Sequence, residues 1–175
     1  QLYGPNTVVV STQNGIPWWY FHGHGGELDG LPLEHVDPGG VIAASIEPER
    51  VVGSLAYFAT DIAEPGVIHH TEGNKMSLGE LNGTRTERTK AIADALIAAG
   101  LRCPVTTRFR HEIWVKLLGN VAFNPISALT GGTLEQLVRH AGTAALVREI
   151  MTETEAVAGK LGIEPEVCGQ LNLAD

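Results

Sequence analysis

The hydrophobic period of this chain changes once, at Asn82-Gly83, and that switch limits the folds open to it more than any other feature. Before it, apolar residues come in short runs broken by Gly, Pro and Asn; after it they recur every three to four residues. A strand turns successive side chains to opposite faces, whereas a helix repeats every ~3.6 residues, so neither pattern can serve as the other. The chain reads as a sheet-rich half, residues 1–82, followed by an all-helical half, residues 83–175. With 43% apolar residues over 175 positions it can bury a real core, which excludes disorder and collagen-like repeats.

Within the first half, residues 7–12 (TVVVST) form an unbroken β-branched run, the pattern of a strand buried on both faces in a parallel sheet. The loop that follows stands at a strand's carboxyl end, where open α/β sheets place their ligands. Residues 16–40, which contain WWYFHGHGGELDG, are too irregular for a helix and too apolar for a linker, and read as a packed surface excursion. Short strands are expected at 41–47, 51–58, 67–70 and 75–80, divided by Glu47-Pro48, Glu64-Pro65-Gly66 and Gly73-Asn74, as an antiparallel meander. In the second half, Ile92, Ala95, Leu96 and Ala99 share a helical face that Gly100 closes. A second helix spans 107–123, and Pro125 must kink or end it because proline lacks the N–H. Thr133 with Gln136 resembles a capping box, and residues 143–161 form a long amphipathic helix stopped by Gly162, with an apolar face suited to a homodimer.

Charge and cysteine content exclude several function classes. Twelve basic against 20 acidic side chains give a net charge of -8, which opposes a broad nucleic-acid surface. Cys103 and Cys168 are too few and too far apart for a metal knuckle or a disulfide framework, and they suit a reducing cytoplasm. No run approaches the roughly 18 apolar residues of a membrane span, and no basic segment precedes an apolar run at the start. The chain opens at Gln1 rather than Met and reads as a piece of something longer.

The chemistry-bearing window is WVKLLGNVAFNPISALTGG. Lys116, Asn120 and Asn124 are spaced i, i+4, i+8, which puts an ammonium and two carboxamides on one helix face among strongly apolar neighbours. A lysine in a dry cleft loses solvation, its pKa falls, and it becomes a better proton donor near neutrality. Carboxamides donate and accept, which suits a small hydroxy or keto acid. The bland alternative pairs Lys116 with Glu112 and leaves Asn124 to cap the turn before Pro125. Asn14, just past the first strand with Gly15 behind it, is either a ligand contact or only an Asn-Gly turn. His22, His24, His69 and His70 lack the spacing of a metal site, and GHGG is not a dinucleotide fingerprint.

Taken in order, STQNGIP, VIHHTEGNKMSLGE and WVKLLGNVAFNPISALTGG resemble the ketopantoate reductase (2-dehydropantoate 2-reductase) family over nearly the whole chain. The K-x-x-x-N-x-x-x-N-P stretch is the most specific piece. The resemblance implies an α/β plus all-α architecture: residues 1–82 as the end of a Rossmann-type NADP-binding domain, and 83–175 as the start of a helical, 6-phosphogluconate-dehydrogenase-like domain. It implies Lys116 as the general acid toward a keto oxygen, with NADPH as hydride donor. It further implies Asn14 near the cofactor and Asn120 and Asn124 on the substrate. The family's phosphate-binding loop would lie upstream of the first strand, and a serine and glutamate of its substrate site would lie downstream. Two alternatives stay open: a related reductase for another 2-oxo acid, or a non-catalytic helical assembly module.

Overall fold

The computed structural model describes residues 4–163, so Cys168 lies outside the described residues. The chain forms two compact units, Gln1–Phe109 and Arg110–Asp175.

In the first unit, β1 (Val9–Ser11) pairs in parallel with β2 (Val51–Glu64), which pairs antiparallel with β3 (Val67–Glu80). The sheet is therefore mixed, and the expected meander is confined to the β2–β3 hairpin. The β-branched run gives the parallel strand, although its three residues are half-buried rather than covered on both faces. β2 and β3 are also longer than expected, at 14 residues each. Pro65-Gly66 is the hairpin turn, with Glu64 opposite Val67 and Gly66 at φ +85. Gly73 does not end a strand. It falls at a register shift, between Glu72, which pairs with Ala59, and Lys75, which pairs with Tyr57, and has φ +73, where a Cβ would overlap the Tyr57 carbonyl oxygen, so the glycine absorbs a bulge within a continuous strand.

The strand expected at 41–47 is instead a short helix, α1 (Val41–Ser45). Its local sequence is β-prone, but a neighbouring carboxylate decides the outcome. Asp37 is 6% exposed, and its two oxygens accept from the backbone N–H groups of Ile42 (2.8 Å) and Ala43 (2.9 Å). Those are orphan donors of a helix's first turn, and satisfying both outweighs propensity. Asp37→Ala is expected to lower the unfolding free energy by about 2 kcal/mol and to speed amide exchange across α1, measured by hydrogen exchange. Unchanged exchange at Ile42 and Ala43 would contradict this.

The aromatic excursion is likewise more interior than expected. Trp18, Trp19, Tyr20 and Phe21 are all buried, with Tyr20 only 1% exposed, and the following His-Gly segment stays near the surface. Four large rings cannot remain on a surface loop when each buries some 150–250 Å².

α2 (Glu87–Ala98) begins at a reciprocal cap between Thr86 and Thr89. It closes as a Schellman motif: Gly100 N–H donates to Ile97 and Leu101 N–H to Leu96, with Gly100 at φ +94. Its Ala93, Ile92 and Leu96 pack with Val52, Leu78 and Cys103 into one cluster. The periodicity breaks at Asn82, whereas the compact units divide after Phe109, because this helix packs on the sheet.

The second unit takes up α3 (Phe109–Thr130) from its second residue, then α4 (Leu134–Arg139) and α5 (Ala141–Lys160). Leu118, Ala122 and Ile126 of α3 meet Leu137 of α4 and Val147 and Met151 of α5. Pro125 lies inside α3 and does not end it. Its missing N–H forfeits one bond, and the buried Ala122 and Ile126 on either side keep the helix packed. Thr133 and Gln136 form the expected capping box.

Candidate functional site

Lys116, Asn120 and Asn124 fall on one face of α3, as the spacing requires, drifting about 40° per step. The core residues Leu118, Ala122 and Ile126 repeat at the same interval two positions later, some 200° around the helix. The polar row therefore faces away from the packed core of the helical unit. Lys116 and Asn120 are half-buried and Asn124 is exposed, so the row runs from a sheltered amine to an open carboxamide. Burial holds the Lys116 pKa below its ordinary value, because an ammonium gives up solvation there. That direction favours release of its proton.

Asn14 belongs to the first unit, exposed in the turn after β1, where Gly15 takes φ +83. The strand before it pairs in parallel with β2, so the turn does stand at the carboxyl end of a parallel strand.

Sequence reasoning missed the buried ion pair of the first unit. Glu80, 4% exposed at the end of β3, accepts from Arg88 Nε (2.7 Å), from Arg88 Nη2 and from the Thr86 hydroxyl. Burial by itself would raise the Glu80 pKa; the hydrogen bonds from Arg88 and Thr86 and the guanidinium charge outweigh it and hold the carboxyl below its usual range. Arg88 also donates to the carbonyls of Glu49 (2.6 Å) and Val51 (3.4 Å). Both carboxylate oxygens are committed, so this pair fastens α2 to the sheet. An ion pair eight residues apart across a turn obeys no local spacing rule, which is why the sequence did not show it.

Among the described residues no group of three or more His, Cys, Asp or Glu side chains is placed to hold a metal ion. His22 stands 3.7 Å from Glu49, and His70 Nε2 contacts the Gly73 carbonyl. Buried Cys103 has its thiol pKa raised by desolvation, the opposite of a reactive thiolate. No described helix is long and apolar enough to cross a membrane.

The family described as "Ketopantoate reductase PanE/ApbA C terminal" matches residues 108–172. A 2-dehydropantoate 2-reductase from Mesorhizobium japonicum is 52% identical over 162 residues, covering 93% of this chain and 50% of that protein. A crystal structure assigned as a ketopantoate reductase from Ralstonia solanacearum superposes with TM-score 0.90 at 34% identity, over 99% of this chain and 57% of that one. D-mandelate dehydrogenase in complex with NADH has TM-score 0.72 at 20% identity, over 93% of this chain and 49% of that one, a likeness of fold alone. The chain spans about half the length of the curated relatives it matches.

Proposed function

This chain belongs to the ketopantoate reductase family, and on that premise we propose that the protein reduces 2-dehydropantoate to pantoate with NADPH, a step toward pantothenate and coenzyme A. The observation that carries the chemistry is the half-buried Lys116, its pKa depressed by desolvation, at the head of a polar row on α3. In this reading the unit that ends at Phe109 belongs to a Rossmann-type nucleotide-binding domain, and the helical unit to the substrate domain.

The residues present fit part of a nicotinamide cofactor's surroundings. Asn14, exposed past a parallel strand on a turn opened by Gly15, offers a carboxamide where such sheets take nucleotides. When bound, the cofactor supplies the hydride. Lys116 holds a proton at Nζ and delivers it to the keto oxygen as negative charge develops there. Asn120 and Asn124 follow one and two turns along the same face, and their carboxamides hydrogen-bond the hydroxyls of the pantoyl group. The row thus supplies one acid and two orienting groups from a single helix, where rigid spacing keeps them in register.

The test is a substrate panel. Protein expressed from its complete reading frame is mixed with NADPH or NADH and with 2-dehydropantoate or other 2-oxo acids, and loss of reduced-cofactor absorbance is followed. 2-Dehydropantoate with NADPH is expected to give the highest kcat/KM by about tenfold or more, since a site built to bond substrate hydroxyls rejects analogues lacking them. A better rate with another 2-oxo acid overturns the substrate assignment. Silence with every acid tried overturns the reductase reading.

A further inference from the structure

The turn that carries Asn14 is closed at its base by a side-chain bond. β1 ends at Ser11, the exposed Thr12, Gln13 and Asn14 follow, and the chain is buried again at Pro17, Trp18 and Trp19. Trp19 is 3% exposed, and its indole N–H donates to the Ser11 hydroxyl at 3.2 Å, across eight residues. A buried indole needs an acceptor. Here the acceptor is the residue from which the turn departs. The ring is fixed from its other side as well. In the strand register Ser11 lies beside Gly53 of β2, and Gly53 beside Gly79 of β3, so the three form a row of minimal side chains on one face of the sheet. Phe109 fills this trough: a Cβ on Gly53 would overlap its ring, and one on Gly79 would come within 2.6 Å of its Cβ. Neither glycine has a positive φ, so space for the ring is what calls for glycine there. The Trp19 ring centroid lies 6.1 Å from that of Phe109. Just beyond the turn, Tyr20 N–H donates to the Pro17 carbonyl at 3.0 Å and His22 N–H to the Trp19 carbonyl at 2.9 Å. All of these residues belong to the first unit.

We propose that Trp19 is a positioning residue for the cofactor: by bonding Ser11 it clips the two ends of the turn together and sets the direction in which the Asn14 carboxamide is offered. The inference rests on the reading of Asn14 as a cofactor contact. Gly15, at φ +83, gives the turn its bend, but a glycine also leaves the backbone around it free to move. A free turn samples many arrangements, and a ligand binds only the competent ones. Its apparent Kd therefore rises in proportion as the competent fraction falls. A clip at the base raises that fraction without touching the ligand, so Trp19 acts on binding and leaves the chemical step alone. The same bond explains why the run of valines in β1 ends on a serine, which supplies the acceptor that the buried indole requires.

The experiment uses the complete enzyme, with the Kd for NADPH measured by titration calorimetry and kcat measured at saturating NADPH. Trp19→Phe keeps an aromatic ring and removes the N–H; Ser11→Ala removes the acceptor. Each is expected to raise the Kd about three- to tenfold, the worth of one hydrogen bond, while kcat stays within about twofold. The two together should do no more than either alone, because both delete the same bond. In an Asn14→Ala background, Trp19→Phe should raise the Kd by less than about twofold, since no carboxamide is left to aim. An unaltered Kd in folded Trp19→Phe and Ser11→Ala overturns the proposal. So does a fall in kcat at constant Kd, which means only that less enzyme is active, and so does a full-sized effect in the Asn14→Ala background. Should Trp19→Phe not fold, Ser11→Ala, which only removes one oxygen, is read in the same way. Asn14→Ala alone separates the two ideas. An unchanged Kd there defeats the reading of Asn14 as a cofactor contact, and this inference with it; a raised Kd beside normal binding in Trp19→Phe and Ser11→Ala defeats the positioning role alone.

Discussion

Arg88→Ala is expected to lower the unfolding free energy by about 3 kcal/mol, read as a lower midpoint in urea with an unchanged slope. The reason is asymmetric. The arginine is about a third exposed (34%) and its partner only 4%, so deleting the cation strands a carboxylate in the interior. Breaking a buried pair from one side costs roughly 3–5 kcal/mol, and the partial exposure of Arg88 places this case at the lower end. Two further bonds go with it, those to the carbonyls of Glu49 and Val51 that tie α2 to the segment entering β2. The pH dependence gives a second, independent reading. The folded Glu80 pKa lies below its ordinary value of 4.5. The stability this group contributes is therefore fully present above that value and is lost as pH falls through the folded pKa. In Glu80→Gln the acid limb of the stability curve should flatten, because no proton is taken up at that site. Arg88→Ala should look least harmful in acid, where the stranded carboxyl is neutral. If Arg88→Ala shifts stability by less than about 0.5 kcal/mol at neutral pH, the pair is an ordinary surface contact.

Features fixed by neighbouring residues were legible in the sequence; features fixed by distant ones were not. The capping box at Thr133 and Gln136, the Gly100 stop and the Lys116, Asn120 and Asn124 row all depend on residues within a turn or two of one another. The β-branched run of β1 announced a parallel strand for the same reason. By contrast, residues 41–47 carry strand-like propensity, and only the buried Asp37 turns them into a helix. Gly73-Asn74 has the composition of a break, yet the partner strand absorbs it as a bulge. Pro125 should kink or end a helix by local rules, and of these two outcomes the packing of Ala122 and Ile126 removes the second, carrying the helix on to Thr130. The glycines at 53 and 79 look like weak points in strands until Phe109, thirty residues or more downstream, is laid across them. The Glu80 and Arg88 pair belongs to the same class. What the sequence withheld was tertiary in every instance.

Lys116→Ala should lower kcat by about 100- to 10,000-fold while leaving the protein folded, the range over which a positioned proton donor contributes. Folding should survive because the residue is only half-buried and its face is turned away from the Leu118, Ala122 and Ile126 core. Lys116→Arg retains a positive charge in a wider, planar group whose pKa is too high for it to part with a proton readily, and it should restore little of the rate. The pH profile distinguishes acid from mere charge. The acid must carry its proton, so the rate should decline as pH rises through the lysine pKa in the complex. Because burial depresses that pKa, the midpoint of the alkaline limb should lie below the ordinary 10.5. In Lys116→Arg the residual rate should show no such limb, since a guanidinium stays charged throughout. Should Lys116→Arg turn over as fast as the parent enzyme, the amine acts by its charge and the proton comes from elsewhere. A rate within a few-fold of the parent in Lys116→Ala would remove the residue from the chemistry altogether, and with it the reason for a half-buried ammonium on α3.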